Sequence, residues 1–121
     1  MVDPDRTKLL IGIVGPCGSG KSTLIAGMKT AGYTGRHIAQ EPSYVPYMWK
    51  RITNPDLLVY LRASFETCTR RRSLTWTMED YTEQLRRLAH ASEHADLIID
   101  TDPLSPVQVL ARLIRFLETN R

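Results

Sequence analysis

Hydrophobic positions along this chain fall into two kinds of segment that alternate. Residues 8–15 (KLLIGIVG) form a nearly unbroken apolar run rich in β-branched side chains, the pattern of a strand buried on both faces. Residues 55–64 (PDLLVYLRAS) have the same character, 95–100 (ADLIID) is read as the fourth strand, and the shorter 35–41 (GRHIAQE) as a short second strand. Between these runs the spacing becomes helical. Leu24, Ile25, Met28 and Ala31 share one face within 21–33, with Gly32 as C-cap. Ser64 caps a helix running through Arg72, with Glu66 in its first turn to complement the dipole. Thr77 and Asp80 form a capping box that opens a helix to about His94, with Tyr81, Leu85 and Leu88 on one face. Ser105, Pro106 and Gln108 start the last helix, whose buried stripe is read as Val107, Leu110, Leu113, Ile114 and Leu117.

Strands that alternate with helices imply parallel βαβ units with right-handed crossovers. The stretch from Tyr33 to Pro55 is too short for another strand–helix unit beyond HIAQE, so that strand is placed beside the first. The predicted fold is a three-layer α/β domain of about four parallel strands, in the order 2-1-3-4, occupying 1–121 as a single domain. Pro42 and Pro46 break the chain after the second strand, and VPYMWKR (45–51) is predicted to make a helical turn.

Composition narrows the function classes. With 42% apolar and 24% charged residues the chain is an ordinary globule. The apolar run Leu9–Val14 is far too short to span a membrane, and the polar first eight residues do not read as a signal peptide. Cys17 and Cys68 lack metal-type spacing and fit a reducing compartment, so the expected location is cytoplasmic. A net charge of +3 suits an anionic small molecule. The one basic cluster, Arg70-Arg71-Arg72, is too short to argue for nucleic acid.

The sharpest motif is GPCGSGKST, Gly15 to Thr23, which matches G-x-x-x-x-G-K-[ST], the Walker A pattern or P-loop. A buried strand precedes it and an amphipathic helix follows, the context this chemistry requires. Gly15, Gly18 and Gly20 allow successive amides to converge on one concavity, and the helix N-terminus adds partial positive charge there. Pro16, Cys17 and Ser19 contribute backbone. Lys21 neutralises β- and γ-phosphates, the Ser22 hydroxyl is a ligand for Mg²⁺, and Thr23 completes the motif. The expected cofactors are ATP and Mg²⁺. A second, metal-organising acid is sought at a neighbouring strand end, where Glu41, Asp100 and Asp102 are candidates. Glu41 ends the strand beside the first and would face the γ-phosphate, as base, water-orienting group or metal ligand through water.

In order along the chain, GSGKST, EPSYVPYMW and PDLLVYLRASFETCTRRR resemble the deoxyribonucleoside kinases within the P-loop kinase superfamily. ADLIIDTDPLSPVQVLARLI resembles the closing segment of nucleotide and other small-molecule kinases of that superfamily. The resemblance covers most of the chain, and the phosphate loop is its most specific part. It implies that Glu41 is the catalytic carboxylate, that Trp49 packs near the acceptor, and that Arg62 is the arginine of the Y-L-R strand. It further implies that Arg70, Arg71 or Arg72 is a lid arginine clamping phosphates, and that the 101–105 loop, with Thr101 and Asp102, holds the adenine ring. The chain departs from full-length members in lacking the Asp/Glu-Arg-Ser strand and the helices that enclose the acceptor base.

Several features carry more than one reading. Arg70-Arg71-Arg72 is either a lid or a solvated basic helix face. Trp76 either stacks on a base or fills a satellite core. Tyr44, Tyr47 and Trp49 either wall an acceptor pocket, cover a sheet edge, or meet a second subunit in a homodimer. HASEH (90–94) places His90 and His94 on one helical face, as zinc ligands require, without a third ligand. His37 is read as a core or edge residue. The function expected is a kinase-like transferase that moves the γ-phosphate of Mg-ATP to a small-molecule acceptor such as a nucleoside or nucleotide. The alternative is a nucleotide-dependent switch, an ATPase or a non-catalytic nucleotide-binding module acting with a partner. No guanine-reading N-K-x-D is present, because Asn54 is followed by proline.

Overall fold

The computed structural model describes residues 9–38, 54–73 and 75–119. In chain order these form β1 (Leu10–Val14), α1 (Lys21–Thr30), β2 (Thr34–His37), β3 (Leu57–Arg62), α2 (Phe65–Arg72), α3 (Met78–His94), β4 (Leu97–Asp100) and α4 (Pro106–Thr119). The four strands make one sheet in the order β2-β1-β3-β4, with every neighbouring pair parallel. This is the mixed α/β arrangement and strand order that the hydrophobic pattern predicts. The expected helical turn over 45–51, together with Glu41, Tyr44, Tyr47 and Trp49, lies outside the described residues.

Side chains alternate across the sheet with the period of two that a pleat imposes. Ile11, Ile13, Val59 and Leu61 point to one face and join Leu24 and Met28 of α1 with Val109, Leu113 and Leu117 of α4. Val14, Leu58 and Tyr60 point to the other face, where Leu88 and Ala91 of α3 cover them. Burial on both faces is why β1 and β3 read as continuous apolar runs instead of alternating ones. On the α1 face Met28 presses so close to β2 that a Cβ on Gly35 would lie 2.8 Å from the Met28 sulfur.

The helix starts follow their side chains. Ser64 Oγ accepts from Thr67 N, and Thr77 with Asp80 closes the expected reciprocal box. Ser105 and Gln108 do the same for α4: Ser105 N donates to Gln108 Oε1 at 2.8 Å, and Gln108 N donates to Ser105 Oγ at 3.3 Å. The phase of α4 differs from the sequence reading. Val107 is 77% exposed, and the buried positions are Val109, Leu113 and Leu117, with Leu110 and Ile114 packed partly against them. The reciprocal box fixes the first turn, and from that start Val109, not Val107, faces the sheet. Among the described residues no helix is long and apolar enough to cross a membrane.

Leu113 is fully buried, so Leu113→Ala should lower stability to urea by about 2–5 kcal/mol. Val107→Ala should change it by less than about 0.5 kcal/mol. Equal losses would contradict the observed phase of α4.

Candidate functional site

The 15–20 turn between β1 and α1 stands at the C-terminal end of the parallel sheet, where strands deliver the chain to loops. Its shape depends on glycine. Gly18 and Gly20 have φ of +86° and +104°, in the left-handed region that side chains disfavour. Gly18 also abuts α2: a Cβ there would lie 2.6 Å from the Cys68 carbonyl oxygen. Beneath the loop, a Cβ on Gly15 would meet the Leu61 carbonyl oxygen at 2.5 Å, so the loop sits directly on the end of β3.

Lys21 opens α1 and turns back beneath the loop. Its Nζ donates to Gly15 O at 2.6 Å and to Pro16 O at 3.0 Å. An ammonium has three N–H groups, which leaves one for a ligand in the cavity that Lys21 lines. Burial pushes its pKa below the ordinary lysine value. The nearby Arg72 charge acts in the same sense, while Cys17 and Cys68 oppose it.

Two adjoining spaces open from this point. The wider, about 680 Å³, is lined by Cys17, Gly18, Gly20, Lys21, Ser22 and Thr23 of the loop and α1, with His37, Arg71, Arg72 and Pro106 around them. The narrower, about 140 Å³, has Leu24, Leu104, Pro106 and Val109 as apolar walls and Ser19, Thr101 and Arg71 at its polar end. Ser19 Oγ is the one buried side-chain polar atom without a partner among the described residues. A glycine turn at a helix N-terminus, with an ammonium and two guanidinium groups lining the cavity beside it, is an arrangement suited to an oxyanion.

Arg71 ties the site together. Its Nη2 donates to Thr101 O at 2.7 Å, and its Nη1 reaches Thr101 Oγ1 at 3.0 Å and Ser19 O at 3.3 Å. Thr101, buried to 1% exposure, donates its hydroxyl to Ser19 O at 3.2 Å. The end of α2, the loop and the segment after β4 are thereby joined through one guanidinium. On the outer side of the loop, Cys17 N donates to Gln84 Oε1 of α3 at 3.0 Å, and Gln84 Nε2 approaches the Cys17 sulfur at 3.4 Å.

The residues singled out from sequence separate into groups. Gly18, Gly20, Lys21, Ser22, Thr23, Arg71 and Arg72 meet around the wider cavity, with Cys17 at its rim. Arg70 lines neither space. Arg62 is engaged elsewhere: it grips Asp100 at the adjacent strand end, Nε–Oδ1 at 2.5 Å and Nη2–Oδ2 at 2.8 Å. That hydrogen-bonded pair holds the Asp100 carboxyl below its ordinary range, and neither residue lines the two spaces beside the loop. Asp102 accepts from Ser64 N at 2.9 Å, so it braces the start of α2 and lines neither cavity. Burial pushes its carboxyl up, but the bonds from Ser64 and Thr67 with the Arg71 charge bring it below the usual range. In the 101–105 segment it is Leu104, with Thr101, that reaches the apolar space.

Trp76 belongs to a satellite cluster. Its ring stacks on Phe65 with centroids 6.1 Å apart, meets Tyr81 edge-on at 5.8 Å, and its Nε1 donates to Thr69 Oγ1 at 2.7 Å. His90 and His94 stack on each other with centroids 4.2 Å apart. Among the described residues no three His, Cys, Asp or Glu side chains gather as a metal would need. Sequence reasoning did not find Gln84 or the cavity position of His37, because both depend on which strand and helix pass the loop. The chain matches no protein-family model, and no curated protein matches it.

Cys68 is fully buried and its thiol is pushed up to about 11 by burial, whereas Cys17 is part-exposed. Native protein at pH 8 should therefore label with a thiol reagent at Cys17 alone, Cys68 reacting only after denaturation. Simultaneous labelling of both under native conditions would contradict this packing. Thr101→Val keeps the shape but removes the hydroxyl, and should cost about 1–3 kcal/mol of stability. A urea midpoint unchanged from wild type would refute the bridging role of Thr101.

Proposed function

We propose that the protein is a P-loop kinase-like phosphotransferase that binds Mg-ATP at the 15–23 loop and passes the γ-phosphoryl group to a small hydroxyl- or phosphate-bearing acceptor. The observation that carries this reading is the joint geometry of the loop: left-handed glycines at 18 and 20, and a buried Lys21 anchored by two loop carbonyls at the mouth of a cavity. Phosphoryl transfer asks little covalent chemistry of a protein and much positioning and charge stabilisation. The loop amides and Lys21 hold the phosphate chain, and Arg72 adds charge from the end of α2. Arg71, with its N–H groups given to Thr101 and Ser19, keeps the loop in shape instead of reaching for the phosphate.

Ser22 lines the cavity next to Lys21 with an exposed hydroxyl, which fits the role of a metal ligand. Held there, Mg²⁺ would supply neutralisation of phosphate charge. Glu41 follows β2 and is proposed as the residue that takes the acceptor proton. The narrow space walled by Leu24, Leu104 and Val109 suits the flat apolar faces of a base, while Thr101 and Arg71 offer it polar contacts. Tyr44, Tyr47 and Trp49 are proposed to bear on the acceptor or on a second copy of the chain.

Lys21→Ala should abolish Mg-ATP binding measured by calorimetry, and retained wild-type affinity would refute the site. Glu41→Gln should spare nucleotide affinity while lowering turnover about 10²-fold or more, the scale of a general base. Incubation with γ-labelled ATP and a panel of nucleosides, nucleotides and small alcohols should move label onto an acceptor. Release of free phosphate alone would replace transfer with hydrolysis and favour a nucleotide-dependent ATPase.

A further inference from the structure

His37 closes β2, paired in register with Ile13 just before the loop. By the pleat it shares a face with Gly35, which packs against Met28 of α1, so its imidazole lies on the side where Lys21 begins that helix. It is exposed to solvent and lines the wider cavity together with Lys21 and Ser22. No aspartate or glutamate is among the residues that line this cavity, so His37 is the only imidazole or carboxylate there among the described residues.

We propose that His37 is an anion-contacting residue of this site, which takes up a proton when a polyphosphate fills the cavity and then donates a charged hydrogen bond to it. This rests on the same loop as the proposed nucleotide site and adds a residue that the sequence motif does not contain.

The reason is electrostatic. Among the described residues, the titratable groups that line the cavity with His37 are Lys21 from α1, Arg71 and Arg72 from α2 and the Cys17 thiol from the loop, and Arg36 precedes it on its own strand. The named charges are all positive. Desolvation and the Lys21 ammonium together hold the imidazole below its ordinary pKa, which favours its neutral form. A bound polyphosphate brings several negative charges to the same space and reverses the sign of the field. The imidazole then gains by protonating, and a charge-assisted N–H···O⁻ bond is the stronger kind. By linkage, a group whose pKa rises on binding takes up protons, so its contribution to affinity is present at low pH and is lost as pH rises through the bound-state pKa. Each unit of rise corresponds to about tenfold in affinity on the acid side.

The test uses inorganic tripolyphosphate, which has no base or ribose, and follows the His37 Cε1–H resonance by NMR while pH is varied. On saturation with tripolyphosphate the His37 midpoint should move up by at least about one unit. In calorimetry between pH 6 and 8, wild type should lose affinity more steeply than His37→Asn, by about 3–10-fold across the range, and should take up more protons on binding. The exposed strand-end position makes His37→Asn compatible with the fold, and the NMR arm needs no variant. An unmoved His37 midpoint, or identical pH dependence in the two proteins, overturns the inference and leaves the loop site standing. Tripolyphosphate binding with the expected His37 shift but no Mg-ATP binding overturns the nucleotide reading and upholds the inference. Absence of any polyphosphate binding overturns both.

Discussion

Thr101 sits at the end of β4 with both its carbonyl and its hydroxyl facing the Arg71 guanidinium, while the hydroxyl also reaches back to the Ser19 carbonyl of the loop. Three segments distant in sequence meet there: the glycine turn after β1, the basic end of α2 and the chain leaving the last strand. A loop with two residues at positive φ has little intrinsic preference for one shape, since glycine loses more conformational freedom on ordering than any other residue. The Arg71 guanidinium on the buried Thr101 supplies the constraint from outside, and Lys21 supplies it from beneath through Gly15 and Pro16. The left-handed turn at Gly18 and Gly20, the cavity beside it and the apolar slot next to Leu104 are held by that fixation.

A parallel sheet makes the arrangement possible. Because β1, β3 and β4 run the same way, their C-terminal ends deliver the glycine turn, the start of α2 and the 101–105 segment to one edge, and the helices cover both faces. Residues that resemble one another chemically are thereby sorted by strand and register. Arg62 and Arg71 are both basic residues near the ends of elements, yet Arg62 pairs with Asp100 across neighbouring strands and Arg71 faces the loop. Asp102, one residue beyond Thr101, turns to the Ser64 amide instead of the cavity.

Strand order, helix starts and the glycine–lysine turn were legible in the sequence because each depends on local periodicity, capping chemistry or close spacing. The phase of α4 was not, since Val107 and Val109 differ only in how the first turn is seated by Ser105 and Gln108. Gln84 and His37 were also hidden. Their relation to Cys17 and Lys21 is set by packing across long sequence separations, and nothing in the residues around them marks it. Arg71 was visible as part of a basic triplet, but its bonds to Thr101 and to the Ser19 carbonyl were not, since they span distant parts of the chain.

The central claim is that the 15–23 loop is the place where a nucleotide's phosphates bind. It is tested most directly by following backbone amide resonances while Mg-ATP is added. The account predicts that the amides of Gly18 to Thr23 move first and furthest, with downfield shifts as their N–H groups meet phosphate oxygens, and that Leu104 and Val109 respond beside them. Saturating nucleotide that leaves Gly18 to Thr23 unmoved, or shifts confined to residues remote from this loop, would contradict it.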